Sequence, residues 1–315
     1  MSAPIDDVLV LVHERRPDAV AAAGPIVAWL EARGASVRRE DSLLYSRARH
    51  GARIEGRPLR DAPTLLVVLG GDGTLLAAAQ AFSHDPVPTV GVNFGHVGFL
   101  ASTPASRWEE TLASVFDGVA RIEQRMRLEV FWTDRGETHS DVALNEVVLQ
   151  RGSHQSMLRA AMWVGEDEVT TYRADGLILA TPSGSTAYSL SAGGPILEPS
   201  LPGIVVTPIA SQGLANRPLV LHAEHVIRVS VASPSGTTSL TVDGQTAYGL
   251  ASGQEVRVQR HPVPYPLIAL PDLDPYRRLR DRLGWGGGPT VFRNPLDDAE
   301  PGDPFPPTSP EGGCY

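Results

Sequence analysis

The chain has 315 residues, 42% of them hydrophobic and 20% charged, which is length for about two globular domains. Its net charge of −9 argues against nucleic acid or an anionic membrane as the main partner. One cysteine, Cys314, excludes a disulfide framework or a cysteine-built metal site within one chain. No apolar run approaches the roughly 18–20 residues that cross a membrane, and "MSAPIDD" has neither the basic nor the apolar part of a signal peptide, so a cytoplasmic protein is expected. All 27 basic residues are arginine. The absence of lysine removes the Walker A loop and Schiff-base chemistry. Phosphate, if handled, must meet backbone N–H groups, arginine and a metal ion.

The first third alternates strands and helices. Asp7–His13 is a β-branched run read as a strand. The alanine-rich stretch 19–34 is read as a helix that Pro25 kinks or splits. A second buried strand is expected over Thr64–Gly71, a helix over 74–82, a third strand over Pro88–Gly95 and an amphipathic helix over 107–118. This order predicts a parallel, Rossmann-like sheet with helices on its faces. From about Arg121 to Pro266 the pattern changes to short alternating runs separated by turn signals, including two strands around Ser-Pro-Ser-Gly at 233–236. That predicts an all-β sandwich-like domain. The fold class is therefore an α/β N-terminal domain plus an all-β sandwich-like C-terminal domain, divided as 1–120 and 121–266. Residues 274–284 read as a short basic helix. Residues 286–315 hold seven prolines and six glycines and read as a disordered tail, or else a docking segment.

"GGDGT", Gly70 to Thr74, falls between a strand and a helix. Gly70, Gly71 and Gly73 let the backbone approach a phosphate at the helix start, and Thr74 can cap the helix or bond a phosphate oxygen. Asp72 repels phosphate, but a carboxylate is a strong acceptor for an alcohol O–H. It can hold a hydroxyl in line with a phosphoryl group and take the proton as the bond forms, while a divalent metal screens the repulsion. The alternative is an Asx-type turn with Asp72 as helix N-cap.

A second constellation spans Arg173 to Leu197. The run Thr181-Pro182-Ser183-Gly184-Ser185-Thr186 offers hydroxyl and N–H groups, and Tyr188 stands among small residues. Together they suit the wall of a site for a base and ribose, or else a polar turn between two strands. Arg173 and Asp175 straddle Ala174 and face one side if the strand continues. Asn145 and Glu146 sit in an apolar strand and need partners, a ligand or a strand-end turn supplying them.

"GGDGTLL", "NFGHVGFLA", "LNEVVLQRG" and "RADGLILATPSGSTAYSLSAGGPIL" occur in that order. Together they resemble the NAD kinase family over about residues 5–285. GGDG alone is shared with diacylglycerol-type lipid kinases and phosphofructokinases; the longer stretch is far more specific. The resemblance implies phosphoryl transfer from ATP, or from polyphosphate, to the 2′-hydroxyl of the adenosine ribose of NAD, giving NADP. It implies a divalent cation, magnesium by expectation, and a homodimer or homotetramer. It also implies that the end of the chain, about 267–285, returns to the first domain.

Carried onto this sequence, the resemblance makes Asp72 the proton acceptor, with Gly73 beside it. Phe99 lies near the adenosine, and Asn145 and Glu146 bind the dinucleotide. Arg173 and Asp175 lie beside the nicotinamide half across a subunit boundary. Thr186, Ala187, Tyr188, Ser189, Leu190 and Ser191 surround the adenine and ribose, and Ala210 and Gln245 complete the set. Some members carry a basic residue after the Asn-Glu pair, where this chain has Ser156 with Arg151 and His154 nearby. Two readings compete. One is a diacylglycerol-type lipid kinase, for which the chain shows no basic amphipathic face. The other is a non-catalytic NAD(H) sensor that kept the pocket, which would be expected to keep the glycines but to have lost Asp72, present here.

Overall fold

The computed structural model describes residues 5–42, 62–95, 98–152, 157–213, 216–232, 238–270, 275–283 and 285. The chain opens with β1 (Asp7–Val12), α1 (Pro17–Glu31) and β2 (Ser36–Asp41), then β3 (Leu65–Leu69), α2 (Asp72–Ala81) and β4 (Thr89–Asn93). These four strands are parallel, in the order β2-β1-β3-β4. β3 and β4 are buried along their whole length and β1 over all but its first residue, so they are nearly continuous apolar runs. β5 (Thr103–Pro104) adds two residues beside β4, and α3 (Trp108–Phe116) and β6 (Arg121–Arg125) follow.

The two faces of this sheet carry different helices. Val8, Val10, Val12, Val67 and Leu69 pack with Ala19, Ala23, Ile26 and Leu30 of α1 and with Leu112 and Val115 of α3. Leu9, Leu11, Leu66 and Val68 pack with Leu75, Leu76, Ala78 and Ala79 of α2. Because α1 and α2 leave on opposite faces, the loops after β1 and β3 diverge at the carboxyl edge of the sheet.

Two antiparallel sheets come next. Their strands are β7 (Leu128–Asp134), β8 (Glu137–Ala143), β9 (Glu146–Arg151), β10 (Leu158–Val164), β11 (Asp167–Ala174) and β12 (Gly176–Ala180). After the short α4 (Tyr188–Ser191) come β13 (Gly203–Ile209), β14 (Leu219–His222), β15 (Ile227–Ala232), β16 (Thr238–Val242), β17 (Thr246–Leu250) and β18 (Glu255–Arg260). One sheet runs β11-β10-β15-β18-β7-β8 and the other β14-β13-β12-β9-β16-β17. Alternate residues of both, among them Val130, Trp132, Leu149, Met162, Leu177, Leu179, Val229 and Leu240, form one core. β19 (Tyr265–Ala269) then returns to the first sheet, parallel to β4 and antiparallel to β6. All of this lies within the unit Met1–Asp272; α5 (Pro275–Leu283) belongs to a second unit, Leu273–Tyr315.

Several expectations are corrected. α1 runs unbroken through Pro25. Pro25 and Ala21 both lie on the exposed face, so the Ala21 carbonyl that loses its N–H partner faces water. The two strands expected around residues 233–236 are present as β15 and β16, which lie in different sheets; the turn read between them falls outside the described residues. β2 went unread because its sequence, Ser-Val-Arg-Arg-Glu-Asp, has no apolar alternation. It is a sheet edge tied by Arg38 to Asp7 at 3.0 Å. The tail and Cys314 also lie outside the described residues.

Candidate active site

The glycine loop stands where β3 ends at the carboxyl edge of the parallel sheet. α2 begins at Asp72 with Gly71 as its extended N-cap residue and no side-chain capping bond. Asp72 therefore does not cap its helix. Its carboxylate turns to the loop after β4, where Oδ2 accepts the Phe99 N–H at 2.9 Å. Oδ1 accepts the N–H groups of Leu100 at 3.2 Å and Ala101 at 2.8 Å. A carboxylate has about four acceptor positions, so these bonds leave about one, on Oδ2. Gly98 permits the approach: a Cβ there would fall on the Asp72 carboxylate. Asp72 is partly exposed and Gly73 exposed, so a hydroxyl can reach the remaining position.

Glu146 begins β9 and Asn145 immediately precedes it; they are 8% and 6% exposed. Asn145 Oδ1 and Glu146 Oε2 are buried and find no hydrogen-bond partner among the described residues. Such orphaned acceptors cost stability unless something donates to them. The backbone beneath them is held by Asp243, which the sequence reading did not single out. Asp243 Oδ2 accepts the Leu144 N–H at 2.7 Å, and Oδ1 accepts those of Asn145 at 2.8 Å and Glu146 at 2.9 Å. Asp243 adopts φ +49° and Gly244 φ +64°, a left-handed pair that turns β16 into β17. Gln245 closes this turn, its N–H donating to Val242 O at 2.9 Å. Burial, then the charge of Asp243, pushes the Glu146 carboxyl up to about 8. Burial pushes Asp243 up to about 6, against the pull of its three N–H donors.

The loop after β12 packs onto the same peptide. Thr181 donates its N–H to Asn145 O at 2.8 Å and its hydroxyl to Leu144 O at 2.7 Å. A Cβ on Gly184 would strike the Asn145 backbone, so only glycine fits. Thr186 ends a 3-10 turn from Gly184, and Tyr188–Ser191 form α4 after Ala187. Ser189 is buried with its hydroxyl 2.8 Å from that of Thr207, while Tyr188 is exposed. Leu144 shares a core with Leu75, Leu76 and Leu100, so Asn145 lies one residue from the packing that carries α2 and the Phe99 loop.

Arg173, Asp175 and Ala210 lie elsewhere. In the β9–β12 register Glu146 faces Ala180, whereas Gln150 faces Gly176. Asp175 thus stands just beyond the opposite end of β12, five residues from Ala180 and about 17 Å away at roughly 3.3 Å per residue. There its carboxylate pairs with Arg151 at 2.7 Å, not with Arg173, and its N–H donates to Ile209 O. Arg173 accepts the Gln212 N–H on its carbonyl, and exposed Ala210 follows at φ +47°. One chain brings Asp72 and Phe99 together, and Asn145 and Glu146 with the Thr186–Ser191 loop and Gln245. It leaves Arg173, Asp175 and Ala210 at the far strand end. Ser156 and His154 fall outside the described residues. Among the described residues no group of three or more His, Cys, Asp or Glu is placed to hold a metal.

A glycine loop and an oriented carboxylate at the carboxyl edge of a parallel sheet, beside buried acceptors on an antiparallel domain, define a phosphotransferase that works on a nucleotide. Residues 8–120 match the model of the ATP-NAD kinase N-terminal domain, and residues 144–270 that of the ATP-NAD kinase C-terminal domain. The NAD kinase of Trichlorobacter lovleyi is 38% identical over 278 residues, covering 87% of this chain and 96% of that protein. Among solved structures, yeast NADH kinase complexed with NADH superposes with a TM-score of 0.79 at 27% identity, over 93% of this chain and 91% of that one. An NAD kinase from Archaeoglobus fulgidus in complex with ATP gives 0.67 at 25% identity, over 89% and 97%. The chain belongs to the NAD kinase family and is a phosphotransferase.

Proposed function

We propose that the chain transfers the terminal phosphoryl group of ATP to the 2′-hydroxyl of the adenosine ribose of NAD, giving NADP and ADP, with Asp72 orienting that hydroxyl. The observation that carries this reading is the Asp72 carboxylate, fixed by three N–H donors with one acceptor position free at the helix start. The ribose O–H donates to that position. The new bond forms between O2′ and the phosphorus, the bond to the bridging oxygen breaks, and the proton passes to Asp72 late in the transfer. A carboxylate is too weak a base to remove an alcohol proton before attack, so orientation is its main contribution. Asn145 and Glu146 accept from the dinucleotide's hydroxyls, which supplies donors for their orphaned oxygens.

The ATP held by the archaeal relative and the NADH held by the yeast relative support both substrates. Inorganic polyphosphate is a second candidate donor. A divalent cation bound on the donor's phosphates neutralises the charge that Asp72 would otherwise oppose. Arg173 and Asp175, at the far end of β12, serve the dinucleotide of a neighbouring subunit in a homodimer or homotetramer. No helix among the described residues is long and apolar enough to cross a membrane, and the enzyme acts in the cytoplasm.

The test is to incubate the protein with NAD, Mg²⁺ and either ATP or polyphosphate, and to read NADP with a dehydrogenase that accepts NADP alone. NADP formation with at least one donor is expected. NAD binding by calorimetry with no NADP from either donor would overturn the reading in favour of a sensor.

A further inference from the structure

The strand order β2-β1-β3-β4 reverses between β1 and β3, and α1 and α2 pack on opposite faces. Open α/β sheets bind ligands in the crevice above such a reversal. Its two walls are the glycine loop after β3 and the turn His13-Glu14-Arg15-Arg16 after β1. The His13 N–H donates to Leu69 O at 3.0 Å, which seats the two loops side by side.

Arg16 crosses this crevice. Its backbone precedes α1, yet its Nη2 donates to Phe94 O, just past the end of β4, at 2.7 Å. A Cβ on Gly95 would lie 3.1 Å from the same nitrogen. β3 lies between β1 and β4, so this bond ties the turn after β1 to the segment after β4 across the end of β3. The guanidinium therefore stands at the carboxyl edge of the sheet, the edge at which β3 opens into Gly70–Gly73. It is half-buried, uses one of its five N–H donors and has no carboxylate partner among the described residues. Glu14, the acidic residue of the turn, is paired instead with Arg39 at 2.9 Å. His13 adds a buried Nδ1 with no hydrogen-bond partner among the described residues. A partly desolvated cation with free donors is completed by an anion, and the planar guanidinium fits phosphate oxygens two at a time.

We propose that Arg16 binds the phosphoanhydride chain of the phosphoryl donor in this crevice, opposite the glycine loop. The assignment rests on the kinase reading and names the side-chain cation that a lysine-free chain uses there. ATP and inorganic polyphosphate share this chemistry, so both donors must feel the loss of Arg16.

The experiment compares wild type, Arg16→Gln and Arg16→Lys by steady-state kinetics with each donor, with calorimetry for NAD and for inorganic tripolyphosphate with Mg²⁺. Arg16→Gln is expected to raise the KM for both donors about tenfold or more and to weaken tripolyphosphate binding similarly, with NAD affinity within about twofold. Arg16→Lys should recover part of the loss. Unchanged donor KM and tripolyphosphate binding would overturn the proposal. So would equal losses for NAD and donor with a lowered Tm, which mark Arg16 as only a brace for Phe94. A rise in KM for ATP without a change for polyphosphate would also contradict it. If wild type forms no NADP, the kinase reading fails, and loss of tripolyphosphate binding in Arg16→Gln still decides the assignment.

Discussion

Asp243 Oδ1 accepts the backbone N–H of Glu146 at 2.9 Å, so two buried carboxylates are linked head to backbone across 97 residues of sequence. The lower carboxylate fixes the peptide, and the upper one faces the site with an unmet oxygen. Replacing Asp243 by Asn leaves one good acceptor where the carboxylate offers two, and an amide N–H then confronts a backbone donor. The expected cost is about 1–3 kcal/mol in denaturant unfolding, with weakened NAD binding because Asn145 and Glu146 lose their footing. A variant with unchanged stability and NAD affinity would show that the three bonds position nothing.

The same pair makes stability depend on pH. Burial raises both carboxyls, Glu146 to about 8 and Asp243 to about 6, so the pair holds on the order of one proton at pH 7. The folded value for Glu146 lies above its ordinary 4.5. Its contribution to stability is therefore fully present below about pH 4.5 and is lost as pH rises through about 8. Glu146→Gln should flatten that decline and exceed wild-type stability above about pH 8, read as denaturant midpoints across the range. Dinucleotide hydroxyls that donate to Glu146 favour its charged form, so NAD binding at neutral pH should release a proton. That release appears as a binding enthalpy that varies with the buffer, and Glu146→Gln should abolish the variation.

Gly98 gives a sharper test of the Asp72 clamp. In Gly98→Ala the new methyl occupies the position of the Asp72 carboxylate, which must swing off its three donors. Turnover should fall about a hundredfold or more, since the group that orients the hydroxyl is displaced, with a smaller loss of NAD affinity. Near wild-type turnover would mean that the carboxylate has room to move and that its present position is not the working one.

The parallel sheet was legible because β1, β3 and β4 are buried on both faces and so are written as unbroken apolar runs, and the glycine loop was legible because it punctuates one of them. β2 was not, because an edge strand balanced by Arg38 and Asp7 carries no hydrophobic signal. Asp243 was hidden for another reason. Asp-Gly announces a tight turn, but that its carboxylate reaches Leu144 to Glu146 depends on β16 pairing with β9, which no local pattern encodes. The distance between Asp175 and Glu146 was equally invisible, since it follows from register along β12.

That separation yields a prediction about subunits. If Arg173 acts on a neighbour's dinucleotide, Arg173→Ala and Asp72→Asn, each poorly active alone, complement one another when refolded together, because a mixed dimer contains one site free of both changes. Activity of the mixture equal to the average of the separate variants would confine the site to one chain.

The most direct test concerns Asp72 itself, by comparing kcat and NAD affinity of wild type and Asp72→Asn under saturating donor. Asparagine keeps an acceptor for part of the Phe99–Ala101 loop but cannot take the hydroxyl proton. In Asp72→Asn kcat is expected to fall about a hundredfold or more while the calorimetric Kd for NAD changes only a few-fold. Turnover at the wild-type rate, or a loss of NAD binding as large as the loss of turnover, would contradict this expectation and leave Asp72 as a structural latch.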